Sequence, residues 1–144
     1  MAEQIKVRGS QPIQVAEFTF TIGDTMTNVS GAADAFASVA AHVFDIIPQE
    51  AGMIVVGGDV VTETAFTGCT AYNVKVGDAT SDTRYLGSTD RVAAGHTALV
   101  PTGFVSTGEA IRLTVTPTVA AATAGKLTVR VHYIKRNRMT ENLL

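Results

Sequence analysis

The chain has 144 residues and a mass of 15.0 kDa, the size of one ordinary domain and enough to bury a continuous core without disulfide or metal staples. Its 11 Lys and Arg against 13 Asp and Glu give a formal charge of -2, so no broad field draws it to nucleic acid or to anionic lipid. Only 17% of the residues are charged, 46% are hydrophobic and the mean hydropathy is +0.23, so much of the surface is uncharged, as in interface cores that are depleted in charge.

Residues 1–14 mix charges with Gly9, Ser10 and Pro12 and show no sustained periodicity, which predicts an N-terminal arm. The first residues have neither the apolar core nor the cleavage site of a leader, and no apolar run approaches the roughly 18 residues of a membrane span. A protein made in the cytoplasm, with no membrane partner, is the expectation. Residues 15–22 read as a first strand, with Phe18, Phe20 and Ile22 on one face and Glu17, Thr19 and Thr21 on the other. Residues 32–44 are ambiguous: Phe36, Val39, Ala40, Val43 and Phe44 fall at helical spacing, but the β-branched continuation into Pro48 favours a loop through about Ala35 and then a strand.

Residues 53–66 are almost all Val, Ile and Thr around Gly57 and Gly58, predicting a long strand bent or bulged at the glycine pair. No Lys with Ser or Thr follows to make that pair a phosphate loop. Tyr72, Val74 and Val76 alternate in a short strand, residues 77–83 carry turn chemistry, and Arg84, Tyr85 and Leu86 form an anchoring segment before a turn at Gly87, Ser88 and Thr89. A strand is expected within residues 96–105. Two more close the domain, residues 110–116 with Ile111, Leu113 and Val115 inward, and residues 126–134 with Leu127, Val129, Val131 and Tyr133 inward. Pro117 and Gly125 bracket their connection. Residues 135–144 break the alternation with a basic run, Lys135, Arg136 and Arg138, and read as a C-terminal tail. The organisation is thus an arm, one all-β domain over residues 15–134 and a tail. Seven or eight strands, several with one polar face, make an antiparallel β-sandwich, whose topology periodicity does not choose.

No chemistry-bearing constellation emerges. His42, His96 and His132 are scattered, and none has a second ligand at a common metal spacing. Cys69, the one cysteine, allows no intrachain disulfide and no thiolate zinc set, and has no nucleophile motif around it. Asp78, Ser81, Asp82 and Asp90 lack the spacing of an EF-hand and read as turn caps, with Asp82 able to pair with Arg84. Asn28, Val29 and Ser30 match a glycosylation acceptor, a coincidence without a leader. No catalytic, cofactor-binding or metal-binding residue is assigned, no cofactor is called for, and the expectation is a protein that is not an enzyme.

The order of segments carries a resemblance. IVVGGDVVTETAF ends at Phe66, YNVKVGDATSDTRYLG spans residues 72–87, and GEAIRLTVTPTVAAATAGKLTVRVHYI spans residues 108–134. Over residues 39–134 the chain resembles the jelly-roll head decoration, or cement, proteins of tailed bacteriophages. The resemblance implies a jelly roll of about eight strands. It also implies a virion protein on the outer capsid surface, which forms a homodimer or homotrimer and clamps neighbouring major capsid proteins, with the arm and tail as contact segments. Two other functions compete. A receptor- or carbohydrate-binding module of a phage tail or fibre is disfavoured by the lack of Trp and by the few Tyr and Phe, several of them in phase with core positions, and a cupin-type metalloenzyme by the scattered histidines.

Overall fold

Alternating β-branched and aromatic residues build ten strands and no helix in the computed structural model, which describes residues 12–135. The strands are β1 (Gln14–Thr21), β2 (Thr25–Thr27), β3 (Ala33–Ala35), β4 (His42–Ile47) and β5 (Met53–Thr67), then β6 (Ala71–Gly77), β7 (Leu86–Asp90), β8 (Gly95–Ala98), β9 (Ile111–Thr118) and β10 (Ala124–Lys135). One four-stranded sheet has the order β1-β10-β5-β8, the other β4-β9-β6-β7, and β2-β3 form a small ribbon. Every pairing is antiparallel.

Without the ribbon, the first sheet holds the first, eighth, third and sixth of eight strands, and the second sheet the second, seventh, fourth and fifth. Every connection except β6 to β7 therefore crosses between sheets, and the first two strands lie in different sheets. This is a jelly roll and not an immunoglobulin sandwich, which keeps its first two strands together.

The inward-facing positions of both sheets meet in one core. Ile111, Leu113 and Val115 of β9, and Leu127, Val129 and Val131 of β10, are buried as their alternation predicts. Tyr133, expected inward, is half-buried: it pairs with the buried Val55 but lines a surface cleft. Through the middle runs an aromatic stack: Phe20 on Phe36 at 4.0 Å between ring centroids, Phe36 on Phe44 at 4.4 Å, and Phe66 on Tyr72 at 3.9 Å. The Tyr72 hydroxyl donates to the Phe36 carbonyl at 2.8 Å, which meets the demand of both buried groups.

The structure departs from the sequence reading at further places, among them Gly125, which lies inside β10 and not in the connection before it. Residues 32–44 are neither helix nor one strand: β3 ends at Ala35, residues 36–41 turn, and β4 begins at His42. The expected turn at Gly87, Ser88 and Thr89 lies inside β7, a polar edge strand with only Leu86 buried. The expected strand within residues 96–105 is the short β8, Gly95–Ala98. Pro117 belongs to β9, where it pairs with Tyr72 on β6; β4 begins, at His42, opposite Val115, so the side without an N–H faces no ladder. Gln14 opens β1 and Lys135 closes β10, and the rest of the expected arm and tail lies outside the described residues, apart from Pro12 and Ile13.

The glycine pair of β5 is geometric, and its two members are not equivalent. A register shift sets Gly57 opposite His132 and Val55 opposite Tyr133, so β5 bulges at Val56. Gly58 has φ +133, and a Cβ there would overlap the Arg130 carbonyl oxygen, whereas one on Gly57 would meet nothing nearer than His132 Nδ1 at 3.7 Å. Gly58→Ala is expected to cost about 2–3 kcal/mol. Gly57→Ala should cost under about 1 kcal/mol. Urea denaturation of the two variants checks the contrast.

Candidate functional site

The two ends of the sandwich differ in chemistry. At one end the turn at residues 36–41 meets the β5–β6, β7–β8 and β9–β10 connections. Ala122 N–H donates to the Ala37 carbonyl at 3.0 Å, Thr123 N–H to Thr67 at 2.7 Å and Phe66 N–H to Val92 at 2.8 Å. Residues 36–41, 68–70 and 119–123 contain no charged side chain. In the β7–β8 connection, Arg91 is turned onto Thr97 Oγ1 at 3.1 Å and the Ala93 carbonyl at 3.1 Å.

That uncharged end also holds the backbone strain. Among the described residues the only non-glycine positive φ angles are Ala40 at 122° and Val119 at 72°, and both stand in these loops. A β-branched residue at positive φ is a true outlier, and strain of this kind, about 1–3 kcal/mol each, gathers at contact and ligand sites. Val119 is 84% exposed and Val39 50%. Val39 and Val119 thus stand exposed on loops that carry no charged side chain.

The opposite end is polar and carries both points where the chain enters and leaves the described residues, since Gln14 pairs with Tyr133 and Lys135 with Met53. Its organising group is Asp78. The buried carboxylate accepts from Ser81 N–H at 2.8 Å, Thr80 N–H at 3.0 Å and the Arg84 guanidinium. Burial pushes its pKa up, but these hydrogen bonds outweigh burial and hold it below the ordinary value. Arg84 also covers the Phe104 ring, 3.6 Å from its centroid. Arg84 therefore pairs with Asp78 and not with Asp82, which holds Lys75 at 3.1 Å, because the loop folds Asp78 inward and leaves Asp82 in solvent. A cleft of about 410 Å³ is lined by Gln14, Gln49, Met53 and Tyr133 among others.

The outward face of the first sheet is charged but internally matched. Arg130 grips Asp59 through two contacts of 2.7 Å, and Lys126 meets Glu63 at 2.8 Å. The hydrogen bond from Arg130 is the main reason that the Asp59 carboxyl is held below its usual range. His132 and His96 stand near the same carboxylate and help to lower it. The structure thus gathers two of the three histidines, but around an Asp59 already occupied by Arg130. His42 lies elsewhere, with Nδ1 3.0 Å from Asp34. Among the described residues no three His, Cys, Asp or Glu side chains converge to hold a metal ion.

Asn28 spends its side chain on structure: Oδ1 accepts from Ser30 N–H at 2.9 Å and Ala32 N–H at 3.1 Å, closing the β2–β3 turn. Cys69 is half-buried, and burial pushes its thiol up, so at neutral pH it is a poor nucleophile. Sequence reasoning missed the uncharged end, whose segments lie far apart in the chain, and missed Asp78 as the hub. The signal for the first was present as three charge-free stretches.

The strand order invites comparison with known jelly rolls. A chain of the cyanophage Pam1 capsid asymmetric unit superposes with a TM-score of 0.62 over 91% of this chain and 92% of its own length, at 19% identity. The fold is that of bacteriophage capsid chains. This capsid-type jelly roll recurs in the acid-stable capsid of Helicobacter pylori bacteriophage KHP30, with a TM-score of 0.56, 17% identity, and 85% and 87% of the two chains covered. It recurs again in the capsid of Ralstonia phage GP4, with a TM-score of 0.55, 11% identity, and 86% and 84% covered. No family model and no curated protein matches the chain in sequence.

Proposed function

We propose that the chain is a structural virion protein that binds the outer surface of a phage capsid and stabilises the shell by holding neighbouring major capsid proteins together. The observation that carries this reading is the match of the whole jelly roll, over 91% of this chain and 92% of the other, to a chain of the Pam1 capsid. The uncharged loop end supports it, because a rigid sandwich presenting Val39 and Val119 on strained loops suits a surface covered by a neighbour. The expected arm, residues 1–14, and tail, residues 135–144, belong to the same reading as further contacts. A sugar-binding role finds less support, since Phe20, Phe36, Phe44, Phe66, Tyr72 and Tyr85 are all buried.

Mass spectrometry of purified virions of the source phage is expected to find the chain at a copy number set by a symmetry element of the shell. Heads reconstituted with Val119→Asp should retain at least about tenfold less of it than of wild type. Virions without the chain would overturn the reading, and full retention of the variant would overturn the assignment of the loop end.

A further inference from the structure

We propose that β1 is the self-association edge of the protein, and that two copies pair their β1 strands antiparallel about a two-fold axis at Ala16. The pairing would join the two β1-β10-β5-β8 sheets into one that runs across the dimer.

The direction of the peptide groups shows which part of the edge is open. Ile22 N–H donates to the Gly125 carbonyl at 3.1 Å, towards β10, whereas Thr21 N–H donates to Asp24 Oδ2 at 2.8 Å, away from it. Antiparallel ladders alternate, so Val15, Glu17 and Thr19 also turn their N–H and C=O groups away from β10. No other described backbone group reaches them. Asp24 closes the edge at Thr21, and among the described residues the stretch before it has no backbone partner on that side.

Among the described residues the other edges are guarded and this one is not. β8 has four residues, β7 has five, and β4 shifts register between Asp45 and Ile47. By contrast β1 pairs eight consecutive residues without a shift, contains no proline and carries one charge, Glu17. Long regular edges without such protection are templates for another strand. Ile13 and Val15, each 58% exposed, stand on this open part.

Self-complementarity favours a second copy as the occupant and narrows the register, since an axis at Val15 would overlap only residues 14–16 of the strand. With the axis at Glu17, two carboxylates face each other, which is unfavourable. With the axis at Phe18, Val15 faces Thr21, whose N–H Asp24 has already taken. With the axis at Ala16, Val15 of one copy faces Glu17 of the other and Ile13 faces Thr19. The open N–H and C=O groups of Val15 and Glu17 then bond each other, and a small methyl sits on the axis. The inference concerns the homo-oligomer that the capsid reading calls for. It needs only purified protein for its test, so its failure and that of the capsid reading are separable.

Sedimentation velocity of the full chain is expected to show a dimer. Glu17→Pro should raise the dissociation constant about tenfold or more while leaving circular dichroism and Tm close to wild type, because a proline is tolerated where the N–H faces solvent. Under mild oxidation Ala16→Cys should give a disulfide-linked dimer, its Cα atoms being about 4.5 Å apart across the axis. Thr21→Cys should not, its Cα atoms being roughly 30 Å apart. A wild-type monomer or trimer, a Glu17→Pro variant that dimerises as well as wild type, or equal cross-linking at both positions would overturn the proposal.

Discussion

Phe36→Ala is expected to lower the stability of the chain by about 4 kcal/mol, seen as a Tm lower by roughly 12 °C. Phe36 is 1% exposed although it sits in a turn, and its ring is the shared member of the stacks with Phe20 and Phe44. Truncation leaves a cavity between two sheets whose backbones are fixed by their own ladders, so the site cannot collapse to fill it. Its carbonyl also anchors the Tyr72 hydroxyl. Tyr72→Phe, which removes that bond and leaves the ring stack, should cost only about 1–2 kcal/mol. Urea denaturation of both variants checks the order. Equal losses would mean that the hydrogen bond, rather than the packing, holds the turn to the core.

Asp78→Ala is expected to cost about 3 kcal/mol near neutral pH. The change strips Arg84 of its carboxylate and leaves the N–H groups of Thr80 and Ser81 without an acceptor. The effect depends on pH in a defined direction. The folded-state pKa of Asp78 is depressed, so its stabilisation is fully present above the unfolded value of about 3.9 and is lost as the pH falls through the lower folded value. The difference between wild type and variant should therefore be constant from pH 7 down to about pH 5, and should narrow below about pH 4. Denaturation curves at pH 7, 5 and 3 test this. A difference as large at pH 3 as at pH 7 would show that the carboxylate charge is not what the loop uses.

The parts of the fold legible in the sequence are those where one face of a strand is buried and the other wet. Phe18 and Phe20 in β1, the Ile111, Leu113, Val115 series in β9 and the Leu127, Val129, Val131 series in β10 all alternate for that reason. β2 and β3 have three residues each, too few to show a period. β7 buries only Leu86, so Gly87, Ser88 and Thr89 read as a turn. Phe36 mimics helical spacing because it reaches the core from a turn.

The candidate surfaces were less legible than the strands. Scarcity of charge was plain in the composition, but its concentration at one end depends on which loops the jelly roll brings together. The bonding of Asp78 with Arg84, and not with Asp82, depends on the fold of residues 78–84, and no spacing rule expresses it. The open edge of β1 depends on which way its N–H groups point. The alternation predicts that only once the strand order is known.

The most direct test of the capsid reading is co-sedimentation of purified protein with mature heads of the source phage, titrated to saturation, with unexpanded shells as the comparison. The account predicts saturable binding to the mature shell, at a stoichiometry that matches a symmetry element, with heads that resist heat better once loaded. Failure to bind either shell at any concentration would contradict it.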